Sequence, residues 1–175
     1  GRCDHTYLYH IVNHYTALSD RTVFTLASLN GNWMRKLSFI FALTESASPR
    51  QYCYKENVFE KLRRFQFYSD QSVPTSLGDG YSNKARGVTI RLADHQPLEK
   101  WMKKYFHQDV YMHRCRYGDG QHGAIFSVNR EDICQYELSW YRQLLLLNSG
   151  ADSMESGYYL ERIWRFMFAV KKLSA

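Results

Sequence analysis

The chain has 175 residues, and its 23 lysines and arginines against 17 aspartates and glutamates give a formal net charge of +6. This length is enough for one domain to bury a core without disulfides or metal ions, and an aromatic content of 16% argues against a disordered chain. The four cysteines form no Cys-x-x-Cys pair, so the sequence indicates neither a zinc ribbon nor a disulfide scaffold and favours a reducing compartment. No apolar run approaches the roughly 20 residues that span a bilayer, so we expect a soluble protein. The excess of basic residues suits an anionic partner or substrate.

The first third of the chain predicts a helix, a strand and a second helix. Apolar residues at spacings of three and four predict a helix that Asp4 caps and that continues to about Ala17. Residues 22–29, TVFTLASL, are rich in β-branched and aromatic residues and predict a core strand. After a turn at 30–32, a helix is expected over residues 33–43. Its expected apolar face contains Trp33, Leu37, Ile40 and Phe41, with Arg35 and Lys36 outside.

The middle of the chain is harder to interpret. Residues 58–67 fit either a helix end or a strand. Residues 69–86 are polar and contain Pro74, Gly78 and Gly80, which predicts a long surface loop. A short strand is expected over 87–92.

A helix beginning near Pro97 follows this middle region, because proline is favoured in the first turn. Its expected inward side chains are Leu98, Trp101, Met102, Tyr105 and Phe106. Residues 107–120 predict another loop.

The last third predicts a buried strand and two helices. Residues 123–128, GAIFSV, form a short apolar run between turn-prone and polar segments. Helical spacing recurs over 138–148, where Ser149 and Gly150 supply a stop signal, and again over 159–168. Because helices and short apolar strands alternate, we expect one α/β domain over residues 1–175, with a layered mixed sheet and flanking helices.

Histidines and cysteines offer only weak metal-site patterns. His10 and His14 have the spacing by which two imidazoles reach one metal ion, but the glutamate of His-Glu-x-x-His is missing. A looser group contains His107, His113, Cys115 and His122. Both sets fit surface or capping histidines better than a metal site, and the chain has no phosphate-binding loop and no Gly-x-Ser-x-Gly motif.

Three segments interleave cations with aromatic rings, a pattern that can neutralise phosphates and stack bases. They are Lys61, Arg63 and Arg64 beside Phe65 and Phe67; Lys100, Lys103 and Lys104 beside Trp101 and Tyr105; and Arg114 and Arg116 beside Tyr117. The alternative interpretation is a solvated face whose rings point inward.

Three passages resemble a family catalogued as a domain of unknown function, similar in layout to nucleotide-sugar glycosyltransferases of the GT-A type. Residues 1–11, GRCDHTYLYHI, resemble that family's Gly-Arg-Glu segment and Thr-Tyr-Leu helix, with Cys3 in place of the glutamate. Residues 20–26 resemble the next strand. Residues 123–130 resemble a later strand of the family, and residues 158–168 resemble its Glu-Arg-x-Trp helix. Residues 47–116 match the family poorly.

The resemblance implies a GT-A-like fold and two alternative functions. The first is metal-independent sugar transfer from a nucleotide sugar, with Arg2 on the donor phosphates and Asp4 or Glu161 as acid/base or ribose contact. A GT-A enzyme usually ends its central strand in an Asp-x-Asp that holds a divalent metal, but residues 25–28, TLAS, contain no acid. On this resemblance, we expect the given chain to begin after the family's first strand. The second function is a catalytically inactive assembly subunit that contacts protein or RNA through Arg63, Arg64, Lys103, Lys104, Arg114 and Arg116.

Overall fold

The structure is a computed structural model of the chain, and it describes residues 3–31, 33–44, 64–68, 80–82, 90–106, 125–150 and 154–169. The described residues combine helices with short strands, as the sequence predicts. The predicted loop at 107–120 and the histidine and cysteine group between His107 and His122 lie outside the described residues.

The predicted helices are confirmed with small changes in their ends. They are α1 (Cys3–His14), continued by a 3₁₀ helix (Tyr15–Ala17), α2 (Trp33–Thr44), α3 (Leu98–Tyr105), α5 (Leu138–Leu147) and α6 (Glu155–Ala169). A further short helix, α4 (Arg130–Cys134), lies where the sequence predicts only a polar boundary. Gly150, in the predicted stop signal after α5, has a φ of 96°, which side chains rarely adopt and which glycine adopts freely.

The described strands form two separate two-stranded sheets. Strand β1 (Arg21–Phe24) pairs antiparallel with β4 (Phe126–Asn129), and β2 (Gln66–Tyr68) pairs parallel with β3 (Gly80–Ser82). The layered mixed sheet that the sequence predicts is therefore not seen in this part of the chain. Two helices pack against the β1–β4 sheet instead: Tyr7 of α1 contacts Phe24 of β1, and Trp164 of α6 contacts Phe126 of β4.

Three strand predictions need correction. The strand expected over 22–29 ends at Phe24, and a 3₁₀ helix (Leu29–Gly31) occupies its far end. The strand expected over 87–92 is reduced, among its described residues, to an isolated bridge between Arg91 and Met154. Strand β3 lies inside the expected loop at 69–86, since its three residues pair with β2.

Aromatic rings dominate the core. Around the β1–β4 sheet, Phe126 lies 5.1 Å from Phe24 and 5.9 Å from Trp164 between ring centroids. Around β2, Phe67 lies 4.8 Å from Tyr158. Both groups belong to one connected cluster of buried residues. Helix α6 links them, because it contributes side chains to each group.

Helix α2 has the orientation opposite to the predicted one. The expected apolar face is exposed, with Trp33 at 67% of its full accessibility. Ala42 is buried, and Arg35, which was expected to be solvated, donates from Nη1 to Ser28 Oγ at 2.7 Å. The helix therefore contacts the rest of the chain through its less apolar side.

Candidate functional site: a buried carboxyl between two helices

Asp4 lies in the first turn of α1 and is only 1% exposed. Its Oδ1 accepts a hydrogen bond from Trp164 Nε1 of α6 at 2.7 Å, and its Oδ2 accepts one from Cys3 Sγ at 3.5 Å. The sequence predicts Asp4 as the helix cap, but α1 already begins at Cys3. The carboxyl group therefore joins two helices rather than capping one.

Burial changes the protonation of this site. Burial raises the pKa of Asp4 to about 7, because a carboxylate loses its hydration in the interior. The hydrogen bond from Trp164 opposes this rise, and the charge of Glu161 adds to it. Burial also raises the pKa of the Cys3 thiol, and Asp4 and Glu161 raise it further. Cys3 is thus held as a neutral thiol, which is a poor nucleophile.

Glu161 lies on α6, three residues before Trp164, and is partly exposed. Its charge raises the pKa of Asp4, of Cys3 and of Tyr7, although for each group burial is the larger cause. The two carboxyl groups that the resemblance implies, Asp4 and Glu161, are therefore electrostatic neighbours. One is enclosed between helices and the other reaches solvent.

The neighbourhood of Asp4 contains further polar groups. A Cβ placed on Gly157 of α6 would lie 3.7 Å from Asp4 Oδ2 and 3.5 Å from Asn148 Oδ1. Asn148, at the end of α5, donates from Nδ2 to the Leu144 carbonyl at 2.8 Å and accepts from Ser156 Oγ at 2.9 Å. Gly157 thus lies where α6 passes close to both α1 and the end of α5.

Glu155 is a buried carboxylate that sequence reasoning did not single out. Its Oε1 accepts from the Phe67 backbone N–H at 2.6 Å and from Tyr159 Oη at 2.7 Å. Its Oε2 accepts from the Ala93 backbone N–H at 2.8 Å and from Gln96 Nε2 at 2.6 Å. The side chain is fully buried, so it serves as an internal acceptor that fixes β2 and residues 93–96 to the start of α6.

The predicted nucleic-acid residues are only partly described. Arg64, Lys103 and Lys104 are exposed, and Lys103 Nζ lies 3.1 Å from Glu99 Oε1. The rings beside them are buried, namely Phe65, Phe67, Trp101 and Tyr105. These rings are therefore not available for base stacking. Arg63, Arg114 and Arg116 lie outside the described residues, as does the donor-phosphate candidate Arg2.

The His10 and His14 pair lies on the exposed side of α1. The two ring centroids are 4.8 Å apart, and burial together with His14 lowers the pKa of His10. Within the described ranges, no group of three histidine, cysteine, aspartate or glutamate side chains is arranged to hold a metal ion.

These observations define a mixed helix and strand protein in which the Asp4 carboxyl group is enclosed between two helices. The whole chain, residues 1–175, matches the family described as protein of unknown function (DUF3431), and the chain belongs to that family. The predicted membership in a family of unknown function is thus confirmed. Neither a curated protein nor a solved structure matches the chain. Among the described helices, none combines the length and apolarity needed to cross a bilayer.

Proposed function

We propose that the chain is a glycosyltransferase-like domain that transfers a sugar from a nucleotide sugar without a bound metal ion. The observation that carries this proposal is the pairing of Asp4 and Glu161. The resemblance implies that Asp4 or Glu161 serves as acid/base or ribose contact, and the charge of Glu161 raises the pKa of Asp4. A GT-A-like arrangement of the complete chain is part of the same proposal.

Glu161 is the member of the pair that can reach a substrate, because it is partly exposed while Asp4 is buried. In the proposed reaction, an acceptor hydroxyl oxygen bonds to the sugar C1 as the bond from C1 to the donor phosphate oxygen breaks. The hydroxyl proton passes to Glu161, and the nucleoside diphosphate leaves with the bonding electrons. Asp4 acts as a positioning residue, because the hydrogen bond that it accepts from Trp164 fixes α6, the helix that carries Glu161, against α1.

The donor carries a diphosphate, whose charge must be stabilised as the bond breaks. The net charge of +6 suits an anionic donor, and Arg2 directly precedes the Cys3 and Asp4 pair in the sequence. Arg2 is therefore assigned to the donor phosphates in this proposal.

The second candidate is a domain that keeps the family's fold without its chemistry and serves as an assembly subunit. The near-complete burial of Asp4 and its hydrogen bond from Trp164 favour this second candidate. A carboxyl group that only stabilises the fold would also be buried and hydrogen-bonded in this way. Exposed Arg64, Lys103 and Lys104 then provide a basic surface for a protein or for RNA phosphates.

Thermal unfolding with a panel of UDP-sugars and GDP-sugars, and separately with RNA, distinguishes these candidates. We expect one nucleotide sugar to raise the unfolding midpoint of the wild type, because a ligand that binds only the folded state stabilises it. The rise should be lost in Arg2→Ala. Glu161→Gln should retain the rise and lose transfer by a factor of about 10² to 10⁴, the usual contribution of a general base.

One control variant and one contradicting outcome complete the experiment. Glu137→Gln changes an exposed glutamate at the start of α5 and should alter neither binding nor transfer. A midpoint that rises with RNA and with none of the nucleotide sugars would contradict sugar transfer and favour the assembly subunit.

A further inference from the structure

The exposed side of α2 is an apolar surface on a basic helix. It consists of Trp33, Leu37, Ile40, Phe41 and Leu43, which are between 36% and 67% exposed. We call these five side chains the α2 patch. Exposed apolar side chains are ordinary when scattered singly, but a contiguous group on one helix indicates an interaction surface.

The opposite side of α2, and not the patch, contacts the rest of the protein. Ala42 is buried, and its carbonyl oxygen accepts from Arg21 Nη2 at 2.7 Å. Arg35 is tied to Ser28 on the preceding turn. These small and polar contacts hold the helix to the protein, and the side chains of the α2 patch project away from the described part of the chain.

The charge of the helix selects the partner. Helix α2 carries two cations, Arg35 and Lys36, and no acidic residue. Lys36 is exposed and follows Trp33 by three residues and precedes Ile40 by four, so it lies among the patch side chains on the helix surface. A symmetric dimer formed through this patch would bring two lysines of like charge against an apolar surface, which is unfavourable.

An anionic lipid surface suits both the apolar side chains of the patch and the positive charge of Lys36. Tryptophan, phenylalanine and leucine side chains insert at the boundary of headgroups and acyl chains, while a lysine can extend its ammonium group to the headgroup phosphates. A helix of 12 residues is about 18 Å long, which suits a position in the plane of the membrane surface and not across it. The net charge of +6 adds a general attraction to an anionic surface.

We propose that α2 binds the chain peripherally to anionic lipid membranes through the α2 patch and Lys36. The experiment is flotation of the purified full chain with phosphatidylcholine vesicles, with and without phosphatidylserine. We expect the chain to float with the vesicles that contain phosphatidylserine and to bind less at high salt. The paired substitution Ile40→Ser and Phe41→Ser should weaken this binding by about tenfold or more, because both side chains leave the lipid phase.

Leu146→Ser is the matched control, because Leu146 is an apolar side chain on α5 that is 74% exposed and is not part of the patch. It should bind like the wild type. Lys36→Glu keeps the apolar side chains and should remove the preference for phosphatidylserine, which provides a second test if the paired variant folds poorly. No flotation, equal flotation with both kinds of vesicle, or unchanged binding of the paired variant would overturn the proposal. The proposal would also be overturned if light scattering showed that the wild type is a dimer and the paired variant a monomer, while neither floated with vesicles.

Discussion

Replacing Glu155 with alanine is expected to lower the free energy of unfolding by about 4 kcal/mol, because removal of this buried acceptor leaves four donors unsatisfied. The backbone N–H groups of Phe67 and Ala93 both donate to this carboxylate. Gln96 and Tyr159 donate to it as well. Urea unfolding followed by circular dichroism measures the loss.

Two variants control this result. Glu155→Gln keeps the shape of the side chain but replaces one acceptor oxygen with an amide that faces donors, so it should also destabilise the fold, by less than alanine does. Glu137→Ala removes an exposed glutamate and should change the free energy of unfolding by less than about 0.5 kcal/mol. A loss below about 1 kcal/mol for Glu155→Ala would contradict the role of Glu155 as an internal acceptor.

The second large effect is a pH dependence that originates at Asp4. Its pKa rises from 3.8 to about 7 on folding. Between these values the folded chain holds a proton that the unfolded chain does not, so the stabilising contribution is complete below about pH 4 and is lost as the pH rises through 7. At about 1.4 kcal/mol per pKa unit, the total loss is roughly 4 kcal/mol.

Asp4→Asn isolates this contribution, because an asparagine keeps an acceptor for Trp164 and stays neutral. Urea unfolding of both proteins between pH 5 and pH 8 gives the comparison. The difference in free energy of unfolding, wild type minus Asp4→Asn, should fall as the pH rises from 5 to about 7 and should level off above that. A difference that does not change with pH would show that Asp4 titrates alike in the folded and unfolded chains.

The helices were predictable because their side chains follow a period that sequence alone displays. Four-residue strands and the five-residue α4 carry too few positions for a period to be recognised. Which strands pair was less predictable still, because β1 and β4 are far apart in the sequence and no local pattern links Arg21–Phe24 to Phe126–Asn129. The orientation of α2 was mispredicted because both of its sides contain apolar residues, and the sequence pattern does not state which side meets the core.

The candidate site was predictable only in part. Asp4 and Glu161 were selected by the resemblance, and their proximity follows from the packing of α1 against α6, which no local pattern contains. Glu155 was missed, although a glutamate at the first position of a helix is a recognisable signal. That signal predicts a favourable terminal charge. It does not predict that donors from two other segments converge on the carboxylate.

The most direct test of the Asp4 and Glu161 site is a pH titration of the Trp164 indole N–H by nuclear magnetic resonance. This N–H donates to Asp4, so its chemical shift reports the ionisation of that carboxyl group. Trp164→Phe identifies its signal among the four tryptophans. We expect a midpoint near 7 in the wild type and a lower midpoint in Glu161→Gln, because the variant lacks the charge that raises the pKa of Asp4. A midpoint near 4, or one that Glu161→Gln leaves unchanged, would contradict the coupling of the two carboxyl groups.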